Sequence, residues 1–191
     1  MVQDADNQII ASSVKAEISF GPMNLKLPRE EVSRRVNMAM EYMNITEYGD
    51  RPPHYLSGGE KKRVAIADII AMEPDVIIFE EPTAALDPLN AVMLEEVLEK
   101  LSAEQKTLLI STHDVDFAYR WAERVLVFCD GQIIADGTPL SVFQNDEVVK
   151  KASLTRPVML DVYEELVRSG LLADAGVYPR DMREFRELIG K

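Results

Sequence analysis

Three short stretches of this chain carry residue types that can act on a charged ligand. The first is Leu56-Ser57-Gly58-Gly59-Glu60, which runs straight into a helical pattern. Two glycines let a backbone approach an anion closely, and the N-terminus of the following helix offers unpaired N–H groups at its positive dipole end. Ser57 adds a hydroxyl donor. Taken alone, the same residues also read as a solvent loop with an N-cap. The second stretch is Val76-Ile77-Ile78-Phe79-Glu80-Glu81-Pro82, two carboxylates following a continuous apolar run. Neighbours along a strand face opposite sides, so Glu80 and Glu81 have different tasks. One can hold Mg²⁺, usually through water, and the other can orient or deprotonate an attacking water. In isolation, two solvated glutamates at a strand end fit as well. The third is Ser111-Thr112-His113-Asp114, after Leu108-Leu109-Ile110. A neutral His113 can sense or polarise a phosphate oxygen and a protonated one can pair with it. A single histidine at a strand end is also an ordinary structural group.

The elements that must hold these residues follow from the apolar spacing. Val76 to Phe79 is short and rich in β-branched residues, which predicts a strand buried on both faces, as in a parallel sheet. Its carboxyl end is where open α/β sheets put ligands. Leu94, Val97, Leu98 and Leu101 are spaced for one face of a helix. Leu108–Ile110 and Val125–Phe128 are further strand-like runs, and Asp130-Gly131 turns the last of them into a hairpin over 125–135. Strand, helix, strand, helix, strand predicts a parallel α/β sheet. Upstream, Gly21-Pro22 should break the chain, Pro28 should open a helix running to Met43, and a helix from Lys61 to Met72 should stop at Glu73-Pro74. Residues 7–56 read as a helical subdomain inserted into the sheet domain. The helical spacing beyond Pro139 reads as a small appendage.

Taken in order, a Gln3-Asp4 pair, Leu-Ser-Gly-Gly-Glu, a strand ending Glu-Glu-Pro, Ala84-Ala85-Leu86-Asp87 and a strand ending Thr-His-Asp resemble the ATPase subunits of ABC transporters. The resemblance covers residues 1 to about 140. Leu56–Glu60 looks like the signature motif and Val76–Pro82 like the Walker B strand, with Glu81 as the catalytic glutamate. Ala84–Asp87 looks like the D-loop, His113 like the switch histidine and Gln3 like the Q-loop glutamine. Asp6-Asn7-Gln8-Ile9, Phe20-Gly21-Pro22-Met23-Asn24-Leu25 and Pro53 to Ala67 narrow the resemblance to the energy-coupling-factor group of importers, and within it to the cobalt-type, CbiO-like ATPases. The resemblance implies an α/β fold of the P-loop NTPase kind. It divides the chain into a Q-loop remnant (1–5), a helical subdomain (6–64), the remaining sheet core (65–140) and a C-terminal appendage (141–191).

It also implies ATP and Mg²⁺ as cofactors. Gln3, Ser57, Gly58, Gly59, Glu60 and Asp87 would contact nucleotide, Glu80 and Gln3 the metal, and Glu81 and His113 would be catalytic. The implied partners are a second ATPase in a head-to-tail dimer and a transmembrane coupling subunit docked on the segment between Gln3 and Ser57. The implied location is the cytoplasmic face of the cell membrane. The implied cargo is cobalt or nickel, or a vitamin, and no residue here would touch it.

The sequence departs from that family in two places. Nothing in it matches Gly-x-x-x-x-Gly-Lys-[Ser/Thr]: the only Gly-Lys is Gly190-Lys191, with Phe185 where the first glycine belongs. Relatives carry that P-loop upstream of the Q-loop glutamine, so the expectation is a chain shortened at its N-terminus. Such a chain either serves as an importer ATPase or is an inactive or trans-acting half that offers its signature motif to a complete partner. Glu80 stands where the family has Asp, and its extra methylene should weaken placement of an octahedral Mg²⁺.

Composition narrows the remaining classes. The 191 residues are 47% hydrophobic and 28% charged, with net charge −12, enough apolar material for a core and the wrong sign for non-specific binding to nucleic acid or anionic membranes. The single cysteine, Cys129, excludes an internal disulfide framework and a Cys-rich zinc site. No stretch approaches the ~20 apolar residues of a membrane span. The interval between Gln3 and Ser57 lacks the long heptads that DNA-repair ABC proteins insert there. The two ATPase units and basic linker of translation-type proteins are absent too.

Overall fold

The computed structural model describes residues 11–84 and 86–190. They form two compact units that divide between Ser111 and Thr112.

In the first unit, α1 (Val14–Asn24) and α2 (Arg29–Tyr42) cover α3 (Gly58–Ala71). Ser13 caps α1 by accepting from the Ala16 N–H, and Val14, Ile18 and Pro22 form its buried stripe. This helix runs through Gly21-Pro22 without stopping, against the expected break. Pro22 gives up one backbone donor but is itself buried, and the bare Cα of Gly21 admits the end of α3. A methyl group at Gly21 would lie 2.7 Å from the Met72 Cγ. The second helix starts after Pro28, where the sequence pattern puts it, and buries Val32, Val36, Ala39 and Met40. Arg35 ties it to the end of α3 by donating to the Met72 carbonyl (3.2 Å) and pairing with Glu73 (3.0 Å). Because α1 and α2 both lie on α3, the run Val64-Ala65-Ile66-Ala67 is buried throughout, as a helix packed on several sides requires.

Beyond α3, β1 (Val76–Glu80), α4 (Pro88–Ala103) and β2 (Thr107–Ser111) make a β-α-β unit. The strands are parallel, with Val76 opposite Thr107 and Glu80 opposite Ser111. Leu94, Val97, Leu98 and Leu101 are the buried residues of α4, as their spacing predicts. Burial of β1 is one-sided, however. Ile77 and Phe79 are buried while Ile78 is 65% exposed, with Val76 and Leu109 also exposed on that face. Among the described residues nothing covers this face, so the continuous apolar run does not correspond to a strand enclosed on both sides.

The second unit begins with α5 (Val115–Trp121), capped by Asp114. A hairpin follows, β3 (Val125–Cys129) and β4 (Gln132–Gly137), antiparallel as expected. Asp130 (φ 51°) and Gly131 (φ 74°) both have positive φ, the requirement of a type I′ turn. Among the described residues β3 pairs with β4 and does not extend the β1–β2 sheet, so the expected third parallel strand is instead one arm of a separate ribbon.

Four helices complete the unit: α6 (Pro139–Phe143), α7 (Asp146–Lys151), α8 (Val158–Arg168) and α9 (Met182–Ile189). Tyr119 of α5, Phe143, Val149 and Leu160 form one buried cluster. Arg180 donates to the carbonyls of Tyr119 (2.8 Å) and Ala122, at the end of α5. The segment after residue 141 thus shares a core with α5. The boundary expected between residues 64 and 65 falls inside α3.

Candidate functional site

The turn at Ser57 is a capping box. The Ser57 Oγ accepts from the Glu60 N–H (3.4 Å) and the Glu60 Oε2 accepts from the Ser57 N–H (2.7 Å). The Ser57 N–H and hydroxyl bonded to the Glu60 carboxyl hold it below its ordinary pKa. The box uses two of the turn's N–H groups, so the donors it leaves for an anion are those of Gly58 and Gly59. Gly58 is exposed with open space around its Cα. Glu60 therefore holds the turn and puts a negative charge in it, opposing the attraction of the helix dipole for a phosphate.

Gly59 lies against a side chain of a later helix. A Cβ there would lie 2.6 Å from the Asn90 Nδ2. Asn90 stands in the first turn of α4, whose N-cap is Asp87 and whose N1 residue is Pro88. The Asp87 carboxylate accepts from the Asn90 N–H (3.0 Å) and from its side-chain amide, which hold the Asp87 pKa below the ordinary carboxylate range. One turn into α3, the Lys62 Nζ donates to the Ala84 carbonyl (3.2 Å). Burial pulls the Lys62 ammonium below its usual pKa. The Ser57–Glu60 turn and Asp87 are therefore joined through side chains of two helices.

Glu80 and Glu81 lie at the carboxyl end of β1, as expected. Glu80 is opposite Ser111 in the sheet, and the Glu81 N–H donates to the Ser111 carbonyl (2.9 Å). The Glu81 carbonyl accepts from the Ala84 N–H (3.1 Å), so the chain turns sharply at once. Glu81 has φ 44°, in the left-handed region. Among the described residues, six other non-glycine positions have positive φ. Lys26, Asn44, Glu73, Gln105 and Ser153 each stand one residue past a helix C-cap, where left-handed backbone is usual, and Asp130 is in the hairpin turn. Glu81 alone of these has neither explanation, and strained backbone of this kind collects at functional sites.

His113 is exposed and opens the second unit, just before the Asp114 cap of α5. Gln3 lies outside the described residues, as does Ala85. Among the described residues no group of three or more His, Cys, Asp or Glu could hold a metal ion by itself. Glu80 offers one hard oxygen donor, which fits Mg²⁺ only where phosphate oxygens and water complete the shell. Asn90 and Lys62 are not legible as site residues in the sequence. Asn90 carries a weak signal, three residues after an N-cap aspartate, and Lys62 carries none.

The chain is similar to proteins of one family. The family model described as "ABC transporter" matches residues 1–84. The Energy-coupling factor transporter ATP-binding protein EcfA2 of Methanospirillum hungatei is 43% identical over 98% of this chain and 47% of its own length. A protein of Methanothermobacter marburgensis, whose name places it among ABC transporter ATP-binding proteins, is 42% identical over 98% of the chain and 67% of its own length. The solved structure of cbiO1 from Clostridium perfringens, part of the ABC transporter complex cbiONQ, superposes with a TM-score of 0.69 at 39% identity, covering 87% of this chain and 65% of that one. The chain belongs to the ATP-binding proteins of ABC transporters, in the energy-coupling-factor, CbiO-like group. It spans about half the length of the EcfA2 relative.

Proposed function

We propose that this chain is the ATP-binding and ATP-hydrolysing subunit of an energy-coupling-factor importer for cobalt or nickel. The observation that carries the reading is Glu81, kept in left-handed backbone beside Glu80 at the carboxyl end of β1. In the reaction, Glu81 accepts a hydrogen bond from the attacking water, aligns it and takes up its proton. Glu80 and Gln3 would hold Mg²⁺, which would neutralise charge on the phosphates. His113 contacts the γ-phosphate. Gly58, Gly59 and Ser57 donate to phosphate oxygens across a dimer, and Asp87 faces the same partner.

Docking to a transmembrane subunit is supported by an exposed apolar trio, Phe20, Met23 and Leu25, at the end of α1. No helix among the described residues is long and apolar enough to cross a membrane, so membrane association would come through that partner at the cytoplasmic face. Cobalt or nickel as cargo rests on likeness to the CbiO-like group.

The test is phosphate release from MgATP by the purified chain, with and without Glu81→Gln. Loss of the water-positioning carboxylate should lower the rate by about 10²–10⁴-fold, and a rate unchanged by the substitution refutes the role. A second reading is favoured by the exposed Ser57 and Gly58. In it the chain supplies its Ser57–Glu60 turn to the ATP of a complete relative. Calorimetry with MgATP separates the two: micromolar binding by the chain alone favours the first. Millimolar or weaker binding, with a changed ATPase rate in a mixed relative, favours the second.

A further inference from the structure

The geometry points to Asn90 and Lys62 as positioning residues that fasten Asp87 and the Ala84 carbonyl to the first turns of α3, so that the Ser57–Glu60 turn and Asp87 move as one body. Both contacts reach across from one segment to the other. Asn90 reaches from α4 to the Cα of Gly59 while its amide donates to Asp87. Lys62 reaches from α3 to the Ala84 carbonyl. Gly59, Lys62 and Asn90 stand on the wall of a groove of about 320 Å³ between α2, α3 and α4, which Ile66, Met93 and Val97 also line. Apolar packing is therefore incomplete there, and the Lys62 hydrogen bond with the Asn90–Gly59 contact joins the end that carries the proposed site. Lys62 donates to a carbonyl and not to a carboxylate, so the attachment is to the backbone of the turn and fixes its path.

Gly59 completes the device. An alanine there must push the Asn90 amide away, and that movement pulls on Asp87. A ligand that shifts the Gly58–Gly59 backbone moves Asp87 by the same route. The consequence for catalysis rests on the reading that these residues face a partner's nucleotide, whereas the attachment itself does not.

The experiment is amide hydrogen exchange on the full chain, comparing wild type with Asn90→Ala, Lys62→Met, Lys62→Arg, Gly59→Ala and the Gly59→Ala/Asn90→Ala pair. Asn90→Ala and Lys62→Met should each speed exchange at Ala84, Leu86 and Asp87 at least tenfold, with protection of Val64–Ile70 in α3 unchanged. Lys62→Arg keeps a donor and should restore the wild-type rate, which a loss of general stability would not do. Gly59→Ala should loosen the same amides in wild type and add nothing in the Asn90→Ala background. Exchange at these amides within twofold of wild type in both single variants, or independent effects of Gly59→Ala and Asn90→Ala, overturns the inference. Where Asn90→Ala fails to fold, Lys62→Met and Gly59→Ala probe the same body from the other helix.

The catalytic consequence is read by mixing each variant with a complete EcfA-type relative and measuring its ATPase rate. Wild-type chain that leaves that rate unchanged counts against the partner-facing reading and leaves the exchange result to decide the attachment. Wild-type chain that changes the rate, with Asn90→Ala and Lys62→Met equally effective, overturns the positioning role.

Discussion

Replacing Glu81 by glycine and, separately, by alanine measures the strain held at the end of β1. Both substitutions remove the carboxylate, so they differ only in backbone freedom and one methyl group. At φ 44° a side-chain-bearing residue pays roughly 1–2 kcal/mol for left-handed backbone, which glycine avoids. Glycine in turn loses more chain entropy on folding, about 0.4–1 kcal/mol relative to alanine. The difference leaves Glu81→Gly more stable than Glu81→Ala by about 0.5–1 kcal/mol, the reverse of the order at an ordinary strand or helix position. For a chain of this size that is a melting-temperature gap of about 1–4 °C. Urea unfolding followed by circular dichroism, with both variants at one protein concentration, reads the sign directly. Both variants should lose hydrolysis to the same extent. A Glu81→Ala variant as stable as Glu81→Gly, or more so, refutes the argument that β1 ends in stored strain.

Other substitutions test separate features. Burial beside Glu17 raises the Asp68 carboxyl to about 6, with the Gly21 backbone N–H pulling partly the other way. The native state then binds more protons than the unfolded chain between about pH 4 and 6, so stability from this group is present in acid and lost as pH rises through 6. Asp68→Asn should flatten the pH dependence over that window and raise stability at pH 8, on the order of 1 kcal/mol once solvent screening is allowed for. Denaturant midpoints from pH 4 to 8 check it, and an unchanged slope would contradict the buried-carboxyl assignment. Glu60→Gln keeps the capping box and removes its charge, so inorganic phosphate should bind several-fold tighter at low salt, with the gain fading at 0.5 M salt. Equal binding by both proteins would mean the turn does not face the anion. Leu160 is fully buried in the second unit, and Leu160→Ala should cost about 2–5 kcal/mol in chemical unfolding. A loss below 1 kcal/mol would show that the cluster around Tyr119 is not a packed core.

Features carried by short-range rules are legible in the residues themselves. The caps at Pro28 and Ser57, the stop at Glu73-Pro74, the α4 stripe and the Asp130-Gly131 turn depend on neighbours within a turn or two, and each stands at the expected position. The arrangement of Glu80 and Glu81 after an apolar strand is readable for the same reason. Two of the expectations that fail do so because local composition is not sufficient. Gly21-Pro22 reads as a break wherever water is the alternative, but here α3 buries the proline and fills the space beside the glycine. The run Val76–Phe79 reads as a doubly covered strand, yet burial depends on which elements pack against it, and among the described residues only one face is covered.

The identity of the motifs, their order and the family they belong to are properties of residue type and spacing, and they are complete in one dimension. How those motifs are joined is not. The neighbour that crowds Gly59 is Asn90 of a later helix. The backbone of Glu81 is set by where β2 and the following turn take its hydrogen bonds, and the partner of Val125–Phe128 is chosen by the hairpin turn in competition with a distant sheet. The first two are contacts between segments about thirty residues apart along the chain, and the third is a choice between a near partner and a far one. Their energy depends on distance and direction in space, and no local periodicity encodes either.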